Sequence, residues 1–571
     1  MRILTMMMLA ASAFATQTEA AQAAVAHASQ TSPTDTVRVA DFGAVADSYT
    51  NATPAIARAI AHAKATGAKV LLFGPGRYDV WTEGATRKTI YVSNTSSQEE
   101  TADKTKILGI HFDGVSNLTV DGAGATLMMH GQMTPIAIDR CTDITLKDLT
   151  VDFERPGGSE LTIVSSDSTG TVVRLHSDSR YDISPSGRFS LIGEGWRSNV
   201  IHCIRFDPAT QHMTYSTDWS VLEKSPATEL APGLVKFATP AGFSPLVGSI
   251  LTVRDRIRHQ TGMLLLESRG VTFQDINVRY MHGLGIVSQY SRNITMLRVN
   301  CTPDSASGRI LASSADFMHF SGCSGHIEIR DCNYSGSQDD AINVHGTNLR
   351  IAAVTAPSTV RMQFMHPQTY GFAAYHPGDT VAYVNPATML RTDTAVVRSV
   401  VMDPDPHFLE LTLDRLVPPG VSVNSTCLEN LTCTPSLHVS GCRFTRLSTR
   451  GILATTPRKV VIENNLFERL GMSGVLIEGD AAGWFESGPV TDVTIRGNTF
   501  IDCGYAGSGS ASITINPSTT SVSAAEPVHE NVVITGNTFD TDGRLILQAK
   551  STAGLVFTDN KILGPLPRPA F

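Results

Sequence analysis

One pattern recurs ten times along the chain and limits the fold more than any other feature: polar, apolar, any residue, apolar, polar, then Gly, Asp or Asn. The copies read "NLTVDG", "DITLKD", "GVTFQD", "NITMLR", "HIEIRD", "SLHVSG", "KVVIEN", "DVTIRG", "NVVITG" and "GLVFTD". The first apolar residue of the copy is, for example, Val271, Ile294, Leu437, Val460, Val532 or Leu555, and three of the intervals equal 23 residues. Alternation within a copy is the mark of a half-buried strand. Strands repeated at a fixed spacing of this size stack as the coils of a solenoid. The expected fold is therefore all-β, a right-handed parallel β-helix. Asn465, Asn498, Asn537 and Asn560 each follow the second apolar residue of their copy by three places. Stacked carboxamides of this kind can hydrogen-bond along the axis as a ladder.

Two intervals break the rhythm, 127 residues from Ile144 to Val271 and 110 from Ile327 to Leu437. Both contain β-rich sequence of another period, and structureless loops of that length are uncommon. Two small antiparallel β domains inserted into the helix are expected, at residues 155–250 and 350–434, dividing it into segments 37–154, 251–349 and 435–565. Before the first repeat, Thr53-Pro54 opens a helix whose apolar stripe is Ile56, Ala59, Ile60 and Ala63, with Gly67 ending it. Such a helix covers the open end of the solenoid.

Residues 1–24 read as a secretory signal: Arg2, an apolar run, then small residues. The run is too short to span a bilayer, so a protein without a membrane span, secreted or periplasmic, is expected. A net charge of −8 and the lack of any Lys/Arg run interleaved with aromatics exclude a nucleic-acid partner. The nine cysteines form no zinc-type cluster. Cys427 and Cys433 bracket a short loop and are candidates for a disulfide; the others read as buried apolar residues.

Chemistry concentrates in "SSADFMHF" and "SGSQDDAINVHG". Asp316 and Asp339 are 23 residues apart, so a constant coil length stacks them ~4.8 Å apart, with Asp340 above Phe317. Stacked acids repel and raise one another's pKa. A calcium site is the competing reading, but no further acidic or carbonyl ligands recur at fixed spacing. Acid/base catalysis accounts better for three converging carboxylates, because glycoside hydrolysis needs one protonated and one ionised carboxyl group. Around them, Trp484 and Glu486 in "GWFESG", His319, His345 and Arg256 are candidate sugar-binding residues. Arg254 and Arg258 share a segment with Arg256.

The run "DFGA…T.AI..AI" resembles the N-terminal signature of the pectin-lyase-like β-helix superfamily. An Asp followed a coil later by Asp-Asp and His-Gly is similar to family 28 polygalacturonases. Over nearly the whole chain, "VRDRIRHQTGMLLLESRGVTFQDINVRYMHGLGIVSQYS", "SGRILASSADFMHFSGCSG", "QDDAINVHGTNLRI" and "GWFESGPVTDVTIRGNTF" resemble glycoside hydrolase family 110. That resemblance implies an inverting exo-α-1,3-galactosidase with no metal and no cofactor, and it implies that the two small inserted domains are β-barrels. Its partners would be α-1,3-galactosyl glycans, blood group B antigen or linear Gal-α-1,3-Gal; a homodimer is compatible with it. By analogy with family 28, Asp339 is the general acid, and Asp316 and Asp340 hold and deprotonate the water. A polygalacturonase would need a basic cluster for its uronate, and no Arg-x-Lys follows Asp340. A non-catalytic carbohydrate-binding β-helix leaves the aspartates unexplained.

Overall fold

The computed structural model describes residues 35–565 apart from 199–200, 256, 508–509 and 524. The expected signal segment and Arg256 lie outside the described residues.

Each regular coil consists of three short strands. Pro435–Ser440, Arg443–Leu447 and Ile452–Ala454 make one, and Val460–Glu463, Leu466–Leu470 and Val475–Ile477 the next. They pair in parallel with a 23-residue offset, as in Leu437↔Val460 and Ile452↔Val475. The strands assemble into parallel-stacked sheets of 19 and 11 strands. Inward positions of the repeat are apolar and sealed, and equivalent residues stack on one another. Phe444, Phe467, Phe500 and Phe539 form one column, with successive ring centroids 4.7, 4.8 and 5.0 Å apart, which is the inter-strand spacing of a sheet. The asparagine ladder is present: Oδ1 of Asn498, Asn537 and Asn560 accepts from the backbone N–H of Asn465, Asn498 and Asn537 at 2.9–3.0 Å. Toward the N-terminus thiols take over that place, the Cys332 N–H facing the Cys442 sulfur at 3.4 Å.

The helix α1 (Thr53–Thr66) buries Ile56, Ala59, Ile60 and Ala63 and ends at Gly67 with φ 68°. Its start differs from expectation. Thr53 is already helical and its hydroxyl donates to the Trp81 carbonyl, while Asn51 Oδ1 accepts the Thr53 N–H at 2.9 Å. Cys427 and Cys433 are both free thiols, so the expected pairing is corrected.

The first insertion is a seven-stranded antiparallel sheet flanked by a three-stranded one, running from Gly158–Asp167 to Ile250–Asp255. The second, from Leu349–Ala356 to Cys427–Asn430, is a barrel closed by hydrogen bonds among six strands. No helix among the described residues is long and apolar enough to cross a membrane.

The coil between the insertions corrects the 23-residue ruler. Met318 pairs with Ile342 and Ser321 with His345, an offset of 24. The extra residue is a bulge at the entry to Ser324–Arg330, where Ser324-Gly325-His326 opposes Arg292-Asn293 and the register shifts. Gly325 supplies the left-handed turn there, φ 72°. A one-residue shift exchanges neighbours. Asp316 therefore stacks with Asp340, not Asp339, as the Phe317 N–H bonded to the Asp340 carbonyl shows.

Candidate active site

Asp316 precedes the strand Met318–Ser321, and Asp340 precedes its neighbour Ile342–His345. The turn before each strand aims its carboxylate out of the coil. One oxygen each of Asp316, Asp339 and Asp340 lies within 4.8 Å of the others. Asp316 and Asp340 are buried, while the Asp339 side chain keeps 30% of its exposure. The pocket above them is also lined by Asn94, Arg258, Arg450, Glu478, Asp480, Trp484 and Glu486.

The stacked pair has unlike surroundings. Asp340 Oδ1 accepts from the Thr449 hydroxyl at 2.7 Å, the Arg450 N–H at 3.1 Å and Arg450 Nε at 2.8 Å. Arg450 occupies the same register one coil on, since Ile342 pairs with Ile452. Burial pushes the Asp340 carboxyl upward, but the guanidinium opposes this and is itself held charged by Asp340. With three donors on one oxygen, Asp340 is a carboxylate. Among the described residues Asp316 has no such cation in contact. Its Oδ2 meets His319 Nδ1 at 2.7 Å. Burial first, and then the charge of Asp340, push it up to about 8. Asp339 is raised by burial and by Asp316, with Arg258 Nη1 3.8 Å from its Oδ2.

The other expected site residues divide. Trp484 stacks on His366 of the second barrel, centroids 4.1 Å apart, and remains 47% exposed in the pocket. Its loop is tied down by Asp480, whose carboxylate accepts backbone N–H groups of residues 482–485. Glu486 lines the pocket and accepts from Asn94 Nδ2 at 2.6 Å; Asn94 Oδ1 in turn accepts from Thr369 of the barrel. His319 and His345 do not line the pocket but lie buried beneath it. Arg258 reaches the pocket, braced by Gln368 at 3.0 Å, while Arg254 sits behind it on Gln338. Asn94, Thr449, Arg450, Glu478 and His366 were missed. Arg450 alone had a usable signal, since it lies 110 residues after Asp340, the interval already measured from Ile327 to Leu437.

Asp316, Asp339 and Asp340 have the spacing of a cation site, but Arg258 and Arg450 already supply positive charge there. His111, Asp113 and Asp139 also cluster within 4.8 Å, with Lys88 and Arg140 on the same carboxylates.

Two family descriptions match the insertions, GLAA-B beta-barrel domain I over residues 159–251 and domain II over 359–425. A third, right handed beta helix region, matches 420–565. Alpha-1,3-galactosidase A of Bacteroides fragilis is 52% identical over 548 residues, covering 96% of this chain and 90% of that one. The chain belongs to the α-1,3-galactosidase family. More distant relatives span the fold equally well: alpha-1,3-galactosidase B of Bacteroides thetaiotaomicron is 35% identical, with 92% of this chain and 86% of that one covered. Among solved structures, the Azotobacter vinelandii mannuronan C-5 epimerase AlgE4 A-module aligns over 94% of this chain and 98% of its own, at 12% identity and a TM-score of 0.42. That likeness is too weak to carry any chemistry. Membership in the α-1,3-galactosidases makes this chain a glycoside hydrolase, and the pocket over the three aspartates is where its geometry supports that chemistry.

Proposed function

We propose that the protein removes terminal α-1,3-linked galactose from glycans of the blood group B or linear Gal-α-1,3-Gal type, with inversion, and that residues 1–24 direct its export. The observation that carries the reading is the junction of three carboxyls, all raised by burial, under a roof supplied by the second barrel; among the described residues only Asp340 is hydrogen-bonded to a guanidinium. Asp339, the most exposed of the three, is the general acid, placed where the departing glycan leaves toward solvent. Asp316 and Asp340 hold and deprotonate the water. Each is fixed through one oxygen, leaving Asp316 Oδ1 and Asp340 Oδ2 without a hydrogen-bond partner among the described residues. Carboxyl spacing of ~5 Å is nearer that of retaining enzymes than the ~6.5–9.5 Å of inverters. Inversion is favoured because two anchored carboxyls suit a bound water better than a lone nucleophile would.

The roof supports an exo mode: His366, Gln368 and Thr369 of the barrel bear on Trp484, Arg258 and Asn94. Trp484 offers a ring face for the sugar. The six acids of the pocket, Asp316, Asp339, Asp340, Glu478, Asp480 and Glu486, outnumber its two arginines. A galacturonate carboxylate would be repelled, which favours neutral galactose over the polygalacturonase alternative.

NMR of the first-formed sugar from Gal-α-1,3-Gal is expected to show β-galactose, and α-galactose would refute inversion. Asp339→Asn is expected to bind substrate but turn over ~10²–10⁴-fold more slowly; near-normal turnover would remove Asp339 from the role of acid. Parallel assays with linear and fucosylated substrates identify which glycan is preferred.

A further inference from the structure

A carboxyl that rests protonated is a poor base, and Asp316, at about 8, is such a group near neutral pH. The residues behind it offer a way out. Asp316 Oδ2 meets His319 Nδ1 at 2.7 Å, His319 Nε2 meets His345 Nε2 at 2.9 Å, and His345 Nδ1 meets the Gly346 carbonyl at 2.7 Å. The carbonyl can only accept, so His345 Nδ1 carries hydrogen. Each of the other two contacts holds one hydrogen between two heavy atoms. Shifting both by one bond turns Asp316 from acid to carboxylate and His345 from neutral ring to imidazolium, with no heavy atom moving. The counter-charge is in place, because Glu486 Oε1 lies 3.6 Å from His345 Nε2. Against the penalty of burial, the Glu486 carboxyl is held below its ordinary range, with the Asn94 amide donating to it at 2.6 Å. At rest burial keeps both rings neutral, His319 lowered to about 4.

We propose that Asp316, His319 and His345 form a proton wire through which Asp316 acts as base on the attacking water, with Glu486 compensating the charge that arrives on His345. The proposal rests on the reading of Asp316 as a water-activating group. As the water oxygen bonds to the anomeric carbon, its hydrogen passes to Asp316 Oδ1. The hydrogen on Asp316 Oδ2 moves to His319 Nδ1, and that on His319 Nε2 moves to His345 Nε2. The glycosidic C–O bond breaks, its electron pair goes to the leaving oxygen, and that oxygen takes the proton of Asp339. The wire then resets: His345 Nε2 returns its hydrogen to His319 Nε2, His319 Nδ1 returns its hydrogen to Asp316 Oδ2, and Asp316 Oδ1 releases its proton into the pocket, where Asp339 takes one up. The charged groups facing the wire are Asp339, Asp340, Arg258, Arg450 and Glu486. His319 and His345 are thus positioning residues that act through Asp316.

His319→Gln tests the wire, since its carbonyl still accepts from the Asp316 hydroxyl but cannot take up the proton. With Gal-α-1,3-Gal, kcat is expected to fall ~10²-fold while KM changes little. The variant-to-parent ratio of kcat should rise from about pH 6 to about pH 9, because Asp316 must now lose its proton to solvent beforehand. His345→Asn still accepts from His319 Nε2 but cannot store the proton; a loss of ~10-fold with the same upward slope is expected. If either folded variant keeps full turnover, or loses it equally at every pH, the wire is wrong. Asp316→Asn separates the two ideas. If it retains turnover, Asp316 is not the base; if it is inactive while His319→Gln is normal, only the wire falls.

Discussion

Asp316 and Asp340 are the same residue type, in the same register, on adjacent coils, yet they meet opposite partners. Asp340 has the next coil beneath it, and that coil presents Thr449 and Arg450 to its Oδ1 at 2.7 and 2.8 Å. Asp316 has Asp340 as that neighbour and a neutral imidazole on its other oxygen. Burial penalises both ions, and only a cation in contact offsets it. The difference teaches that a stacked pair of like residues is split by what the following coil supplies. Such a split is what acid and base roles require.

The largest test is Arg450→Met. Removing one partner of a buried pair typically costs ~3–5 kcal/mol, so a loss of that size in chemical denaturation is expected, with turnover falling as Asp340 takes up a proton. A variant as stable and active as the parent would show that Asp340 is not an ion and would erase the contrast.

The second effect reaches its full size only at high pH. The folded-state pKa of Asp316, about 8, lies above its unfolded value. Its burial therefore favours folding below the unfolded pKa, and that advantage is lost as pH rises through about 8. Asp316→Asn mimics the protonated form. It should match the parent near pH 4 and exceed it at pH 9 by on the order of 5 kcal/mol in unfolding free energy. The opposite slope would mean that Asp316 is ionised like its neighbour.

The smallest is Thr449→Val, which withdraws one of three donors to Asp340. Hydrogen bonds to charged groups contribute ~1.5–3 kcal/mol, and the other two donors keep the loss at the low end. The activity limb set by Asp340 should move to higher pH, read from kcat profiles. An unmoved limb would assign the whole stabilisation of the ion to Arg450.

Much of the fold was legible because solenoid coils reuse one local pattern. The strand copies, the asparagine ladder and the two gaps follow from residue periodicity alone, and the ladder is found at 2.9–3.0 Å. The coil length at the turn that carries the aspartates was not. A bulge at Gly325 adds one residue, and nothing in "SGCSGHIEI" distinguishes a 24-residue coil from a 23-residue one. The constant ruler put Asp339 in the stack; the bulge moves it out and brings Asp340 in. His319 and His345 were visible as residues near the aspartates, but their burial beneath the pocket depends on how two coils lie on each other.

The sequence by itself determined the β-helix, the places where it is interrupted and the three aspartates, because these rest on local periodicity and residue chemistry. The tertiary structure alone decided which aspartates stack, which one is ionised and what covers them. Those depend on contacts between residues as remote as Asp340 and Arg450, or Glu486 and Asn94, 110 and 392 positions apart. Charge on a buried group is set by whatever lies within a few ångströms of it, and chain order does not specify those neighbours.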